Sequence, residues 1–426
     1  MLLMEKETKS DLSEIQINKL FDIISYAKKN SSFYKKSLKN LNLSKNKFSI
    51  DLYKKIPFTT KSDLAKNNES FLAVPISKIA DFVTTSGTTG SPISLYLTKK
   101  DLKRLSKNEC DSLTLMGHTK KDTFQLMTTM DKQFMAGMAY FLGVQELGAG
   151  MIRIGPGVPQ LQWDSILRYS PTTLIAVPSF IITLLDYAKE NNINYKSTSI
   201  KSIVCIGESI RDENLNYNKL GKRILENWNI NIYSTYASTE MGAAFSECTA
   251  QKGCHLNEDL LFLEVLKEDD SNALNGEYGE IVITTLNVEG TPLIRYRTGD
   301  IAKIYRDKCE CGRASPRLGP IMGRKNQMIK FRGTTLYPKA IFDLLDNYKT
   351  ISCYKVIIKK DELNNDNITL LLDEKIANSN ILNEIKQMCK SSLRVIPNFE
   401  FIEINKLRGM VYKKHMRKPE KIKFIT

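Results

Sequence analysis

The residues best equipped for chemistry stand in one run, Thr84-Thr85-Ser86-Gly87-Thr88-Thr89-Gly90-Ser91-Pro92. Its hydroxyls and backbone N–H groups can wrap an anion, and two glycines allow left-handed turns and close backbone approach. Strand-like runs flank it, Ile79-Ala80-Asp81-Phe82-Val83 and Ile93-Ser94-Leu95-Tyr96-Leu97. A phosphate-cradling loop and a plain polar hairpin turn both answer to that composition. The P-loop spacing G-x-x-x-x-G-K-[ST] is absent. A second group of reactive side chains is Cys248, Cys254-His255 and Cys309-Glu310-Cys311, set apart from the scattered Cys110, Cys205, Cys353 and Cys389. The three histidines, His118, His255 and His415, have no Gly-x-Ser-x-Gly elbow to serve, which argues against a hydrolase.

The elements that must hold these groups are legible as a change of rhythm along the chain. Residues 10–40 carry apolar side chains at helical spacing, and Pro57 breaks the pattern, with Thr60 or Ser62 set to cap the next helix. Thr98 to Met116 reads as an amphipathic helix. Strands are expected at 123–127, 151–154, 173–177, 202–206 and 230–233, separated by helices at 135–147, 179–190 and 211–228. Runs that are nearly all apolar suit parallel strands covered on both faces, so the class is α/β. After about residue 258 the pattern alternates like antiparallel strands, at 260–267, 279–285 and 301–305, with turns at Asn275-Gly276 and Glu289-Gly290. Residues 325–426 read as a small α+β unit: helix 338–348, strands 353–359 and 367–373, helix 378–392 and a basic tail.

Bulk properties narrow the function. The 426 residues allow two or more domains. No apolar run approaches the roughly 18–20 residues of a membrane span, and Met1 to Glu7 turns charged too soon for a signal peptide. A cytoplasmic location is the expectation, with reduced cysteines. The net charge of +15 raises nucleic acid as a partner. Residues 401–426 alone hold eight Lys/Arg against two Glu. Without a nucleic-acid-binding signature, the rest reads as a solvated surface, and no nucleic-acid or membrane partner is expected. A basic zinc-containing nucleic-acid-binding protein is the alternative of a different class.

Four segments in order resemble the signatures of the adenylate-forming enzymes, the superfamily of acyl-CoA synthetases, adenylation domains and luciferases. They are Thr85-Ser86-Gly87-Thr88-Thr89-Gly90-Ser91-Pro92, Tyr236-Ala237-Ser238-Thr239-Glu240, Tyr296-Arg297-Thr298-Gly299-Asp300 and Gly323-Arg324-Lys325-Asn326-Gln327-Met328-Ile329-Lys330. Within it the chain resembles the phenylacetate–CoA ligase group most, through Ile56-Pro57-Phe58-Thr59-Thr60-Lys61-Ser62-Asp63-Leu64, Ile93 in place of Lys, and Cys309-Glu310-Cys311-Gly312-Arg313. The resemblance implies an AMP-forming acid–thiol ligase. ATP and a carboxylic acid give an acyl-adenylate and pyrophosphate, and the acyl group then passes to coenzyme A or to the phosphopantetheine of a carrier protein. It also implies a large domain, 1–322, with a β-rich closing subdomain, and a mobile α+β lid, 323–426.

The same resemblance assigns roles. Thr85, Ser86, Gly87, Thr88, Thr89 and Gly90 would clasp the β,γ-phosphates. Glu240 would hold Mg²⁺, Thr239 would touch the α-phosphate, and Tyr236, with Ala237 and Ser238, would lie against the adenine. Gly207, Glu208 and Ser209 would pass under that base. Asp300 would accept both ribose hydroxyls, and Arg324 would reach ribose or phosphate. The acid would enter a pocket built on Phe134, Ala136, Gly137, Tyr140 and Phe141, beside Tyr236-Ala237 and Val177-Pro178-Ser179. The run 135–139 carries no Lys or Arg, so a largely apolar monocarboxylic acid is expected, aryl or arylacetic by resemblance. Cys248, His255, Cys309 and Cys311 would form a structural zinc set, with Cys254 as a substitute for His255. An acyl carrier protein and a homodimer are partners the resemblance allows. Two departures stand out. Position 326 is Asn where many relatives carry Asp, and no glycine precedes a lysine near the end. Lys421 is the first choice for the adenylation lysine and Lys418 the second.

Overall fold

The computed structural model describes residues 13–85, 93–331, 334–346, 348, 350–360, 366–377, 379–393, 395–412 and 420–425. The expected roles of Ser86 to Gly90, and of Lys418, fall on residues outside them. The chain divides into two compact units, 1–298 with 302–320, and 299–301 with 321–426.

The first unit is organised around five parallel strands. Gly150–Arg153, Thr123–Leu126, Thr173–Ala176, Ser202–Cys205 and Asn231–Ser238 lie side by side in that order. Their alternating side chains feed two separate cores. Leu174, Ala176, Ile203 and Ile232 pack on the face that also buries Trp163, Ile181, Leu184 and Ile224, from the helices Pro159–Tyr169, Pro178–Glu190 and Lys219–Asn227. Ile175, Val204 and Tyr233 point the other way, against Leu113, Tyr140 and Val144 of the helices Lys99–Leu115 and Met135–Leu147. Covering both faces is why these short strands read as unbroken apolar runs.

Beyond Asn231–Ser238 the sheet turns antiparallel, through Ala243–Glu247, Cys254–His255, Arg317–Leu318, Tyr296–Tyr305, Tyr278–Thr285 and Leu261–Leu266. A separate hairpin pairs Ile79–Thr84 with Ser94–Thr98. The expected helices over 10–40 and 211–228 are shorter than their spacing suggests. The first stops at Asn30, because Ser31 is extended and caps a second helix, Ser32–Ser37. The expected 211–228 helix forms only as Lys219–Asn227. Upstream, the Asp212 carboxylate accepts the N–H groups of Asn214 and Asn216, and Leu215 is left-handed at φ 65°. This is local side-chain capture of the backbone in place of helix.

In the second unit the pair Gly323–Arg324 lies antiparallel to Asp300 and Ile301. A four-stranded sheet follows in the order Asn398–Ile402, Asp366–Asp373, Lys355–Lys360, Ile422–Ile425, its outer strands parallel to their neighbours. The helices Pro338–Leu345 and Asn380–Met388 cover it, burying Ile341, Leu345 and Ile385 against Val356, Ile358 and Leu370. The basic tail is not plain coil. It includes a helix, Ile404–Val411, and the strand Ile422–Ile425.

Candidate active site and metal centre

The strand Asn231–Ser238 runs four residues past its parallel pairing, which ends at Ser234, and delivers Tyr236, Ala237 and Ser238 to its carboxyl end. The open space beyond such strand ends is where α/β sheets bind ligands. Tyr236 pairs with Phe245 across the hairpin, ring centroids 5.8 Å apart. Thr239 and Glu240 then sit in a tight turn. The Ser238 hydroxyl accepts the Met241 N–H at 3.3 Å, the Thr239 carbonyl accepts the Gly242 N–H at 3.3 Å, and Gly242 is left-handed at φ 54°.

Glu240 is oriented by two groups from distant sequence. The Tyr296 hydroxyl donates to its Oε1 at 3.3 Å, and the Lys61 ammonium lies 4.0 Å from the same oxygen. Lys61 begins a helix, Lys61–Asn67, whose Thr60 and Asp63 form a reciprocal capping box. The preceding Thr59 exchanges backbone hydrogen bonds with Arg295 and Arg297, and both guanidinium groups lie over the Phe58 ring, 4.1 and 4.5 Å from its centroid. Ile56 to Leu64 is therefore a device that pins Lys61 beside Glu240. The only sequence signal for this placement of Lys61 is the Ile56-to-Leu64 motif itself.

Gly207 is left-handed at φ 72°, and the segment after it is tied down on both sides. The Glu208 carboxylate accepts the Ser179 N–H at 2.9 Å and its hydroxyl at 3.0 Å, at the start of the helix Pro178–Glu190. The Ser209 carbonyl accepts from Asn218 at 2.8 Å. Arg211 makes a buried two-pronged pair with Glu247, at 2.9 and 3.1 Å, and lies 3.8 Å over the Tyr217 ring. Removing one partner of such a pair strands a buried charge, at a cost of about 3–5 kcal/mol.

The five expected pocket residues behave differently from one another. Tyr140 is buried, its hydroxyl bonded to Thr235, and burial pushes its ionisation well above the ordinary range. Phe134 is 38% exposed, and Phe141 is half-buried beneath the Arg153 guanidinium at 5.2 Å. Ala136 packs at the edge of the core around Tyr140. Gly137 serves close packing, since a Cβ there would lie 2.0 Å from the Thr129 carbonyl oxygen. Arg153 brings a cation to Phe141 that the run 135–139 does not contain.

In the second unit Asp300 and Arg324 face each other across the strand pair, with Nε 3.4 Å from Oδ1. Lys421 lies at the edge of the four-stranded sheet, where its carbonyl accepts the Val356 N–H. Its ammonium is 3.1 Å from the Asp346 carboxylate and 3.0 Å from the Tyr354 hydroxyl.

Cys248, His255, Cys309 and Cys311 come together in the first unit, with their ligand atoms all within 4.8 Å of one another. The Cys248 and Cys309 sulfurs are 3.7 Å apart, and Cys311 Sγ is 3.5 Å from His255 Nε2. A tetrahedral site with metal–sulfur bonds of about 2.3 Å has sulfur–sulfur edges of about 3.8 Å, so the set fits a zinc ion. Ser315 takes the other ring nitrogen, Nδ1, at 2.9 Å and leaves Nε2 for the metal. Burial, with Arg317 and Arg313 nearby, lowers the imidazole pKa to about 4, so it is neutral as a ligand must be. Cys311 is raised by burial but held below its ordinary value overall by the Arg313 backbone N–H and the adjoining thiols. Cys254 is not part of the set: its sulfur faces the Ser234 carbonyl at 3.5 Å, and strand alternation turns it away from His255.

Residues 27–289 match the family model described as "AMP-binding enzyme". The chain belongs to that family. It is similar to a phenylacetate-coenzyme A ligase of Thermus thermophilus, 27% identical over 84% of this chain and 80% of the relative. One from Aromatoleum evansii is also 27% identical, over 84% and 81%. Among solved structures it is similar to 2-hydroxyisobutyryl-CoA ligase in the postadenylation state with 2-HIB-AMP, at a TM-score of 0.81 and 20% identity, covering 99% of this chain and 91% of the other. That likeness speaks to the fold.

Proposed function

We propose that this family member is an ATP-dependent acid–thiol ligase. A carboxylate oxygen attacks the α-phosphorus of ATP and the α,β-bridging bond breaks, giving acyl-adenylate and pyrophosphate. A thiol, here assigned to coenzyme A, then attacks the acyl carbon, forming the thioester as AMP leaves with the electron pair and the thiol proton passes to solvent. A carrier-protein thiol is the second acceptor considered. The observation that carries the reading is the Thr239–Glu240 turn, at the carboxyl end of a parallel strand, with Lys61 and Tyr296 aimed at its carboxylate.

In this reading Glu240 would hold Mg²⁺, which neutralises phosphate charge when bound. Thr239 would donate to the α-phosphate, and Tyr236 with Gly207 to Ser209 would frame the adenine. Asp300 and Arg324 would serve the ribose and phosphate. Residues 323–426 would act as the mobile lid, turning at Arg324–Asn326 between half-reactions. Cys248, His255, Cys309 and Cys311 would hold a structural zinc, which cross-links the chain when bound. The relatives' substrates support an aryl or arylacetic acid. Among the described residues no helix is long and apolar enough to cross a membrane. All eight cysteines carry free thiols, which supports the cytoplasm.

Acid-dependent pyrophosphate release from ATP tests the reaction, over a panel of aryl, arylacetic and short aliphatic acids. Transfer to coenzyme A and to a phosphopantetheinylated carrier is measured in parallel. Glu240→Gln is expected to lower pyrophosphate release by roughly 10²–10³. A folded, ATP-binding protein that releases no pyrophosphate with any acid sinks the reading.

A further inference from the structure

Arg104 belongs to none of the roles above, yet it is a buried cation bonded to the end of the Thr239–Glu240 turn. It lies on the helix Lys99–Leu115 and is 7% exposed. Its Nε donates to the Leu286 carbonyl at 2.8 Å, one terminal nitrogen to Gly242 at 2.5 Å, and the other to Leu260 at 2.6 Å. The three acceptors come from three separate segments. One follows the strand Asn231–Ser238, one precedes Leu261–Leu266, and one follows Tyr278–Thr285. The nearest acidic group, Asp101, gives its own carboxylate to the N–H groups of Thr98, Glu289 and Gly290. A guanidinium buried against carbonyl dipoles alone is costly to desolvate, so the site holds it for geometry.

Gly242 is the last residue of the turn that presents Thr239 and Glu240, and it is left-handed. A Cβ at 242 would stand 3.2 Å from the Arg104 terminal nitrogen. Arg104, Thr239, Glu240, Met241 and Gly242 line one small cavity of about 20 Å³, room for about one water. The Ser238 hydroxyl holds the near end of the turn and Arg104 the far end. With both ends held, the backbone that carries the Glu240 carboxylate is fixed at Met241 and Gly242. That is preorganisation of a charged ligand, and a deviation of about 1 Å in such a group is expensive in rate.

We infer that Arg104 is a positioning residue for adenylation, clamping the turn that aims Glu240 at its metal ion. This rests on Glu240 holding Mg²⁺. The test is the Mg²⁺ dependence of acid-dependent pyrophosphate release in the full-length protein, for wild type, Arg104→Lys, Gly242→Ala and the benchmark Glu240→Gln. Lysine keeps the charge and reaches one carbonyl in place of three. Gly242→Ala moves the same carbonyl from the other side and decides the matter if Arg104→Lys does not fold. The expected result is a Mg²⁺ half-saturation raised about five- to tenfold in both variants. Transfer of the acyl group from supplied acyl-adenylate to coenzyme A, which needs no triphosphate-bound metal, should stay within about twofold of wild type. A raised half-saturation in Glu240→Gln with unchanged values in the folded clamp variants overturns the clamp alone. An unchanged value in Glu240→Gln overturns the metal assignment and the clamp with it.

Discussion

Lys61 is half-exposed, and its ammonium stands 4.0 Å from a carboxylate that is nearly buried. In the proposed reaction that position faces the triphosphate, where charge develops on the departing pyrophosphate. Lys61→Met should therefore lower pyrophosphate release by about 10–10², with unfolding temperature nearly unchanged, because an exposed pair contributes little to stability. Normal release from Lys61→Met would mean the lysine only decorates the rim. The Lys421 ammonium is docked between Asp346 and Tyr354. If it is the adenylation lysine, Lys421→Ala cuts acyl-adenylate formation by about 10²–10³ and spares transfer from supplied acyl-adenylate. A loss confined to Lys418→Ala moves the role to that residue. Arg104 escaped the sequence reading for a physical reason: its partners are carbonyls of residues 242, 260 and 286, and a carbonyl carries no side-chain signature. The Cys248, His255, Cys309 and Cys311 cluster was visible because thiols and imidazole are rare. The choice of His255 over Cys254 needed the strand to assign opposite faces to neighbours.

The helices Lys99–Leu115 and Met135–Leu147 meet at Gly143, where any Cβ would lie 2.3 Å from that of Glu109. Glu109 is buried there with one oxygen unpaired and the other 3.1 Å from Asn108. Burial raises its pKa from 4.5 to about 7. The folded chain thus keeps a proton that the unfolded chain has released, and stability falls as pH rises from about 4.5 to about 7, then levels off. The full change is roughly 3 kcal/mol. Glu109→Gln should raise the unfolding temperature at pH 8 and leave it little changed at pH 4. Equal gains at both pH values would point to a packing effect in place of ionisation. At this scale the parallel strands were readable because 173–176 and 202–205 are buried on both faces. The missing half of the 211–228 helix was not, since Asp212 competes for the backbone through its side chain.

Across the whole molecule the Cys248–Cys309 contact joins positions 61 residues apart. A metal there closes that loop and stabilises the first unit by mass action. The purified protein is expected to carry about one zinc per chain. Chelation, or Cys309→Ser, should lower the unfolding temperature before activity at low temperature is lost. Metal-free protein with the same unfolding temperature as wild type would remove the structural role. Asn326→Pro fixes φ where the lid is proposed to turn. It should slow overall thioester formation more than either half-reaction measured alone. Equal loss in all three assays would indicate simple misfolding of the lid.

The long reach of the N-terminal contacts bears on how the chain is made. The Tyr34 hydroxyl accepts the Ile294 N–H across 260 positions, and the Thr59 hydroxyl donates to the Ile294 carbonyl across 235. A ribosome adding about 5–20 residues per second needs roughly 12–50 s to cover the shorter of those gaps. During that interval Leu20, Tyr34, Tyr53 and Phe71, all buried in the finished fold, have no strand to settle on. Synthesis therefore passes through a stage in which Tyr34 and Thr59 lack the partner at Ile294 that fixes them in the finished fold.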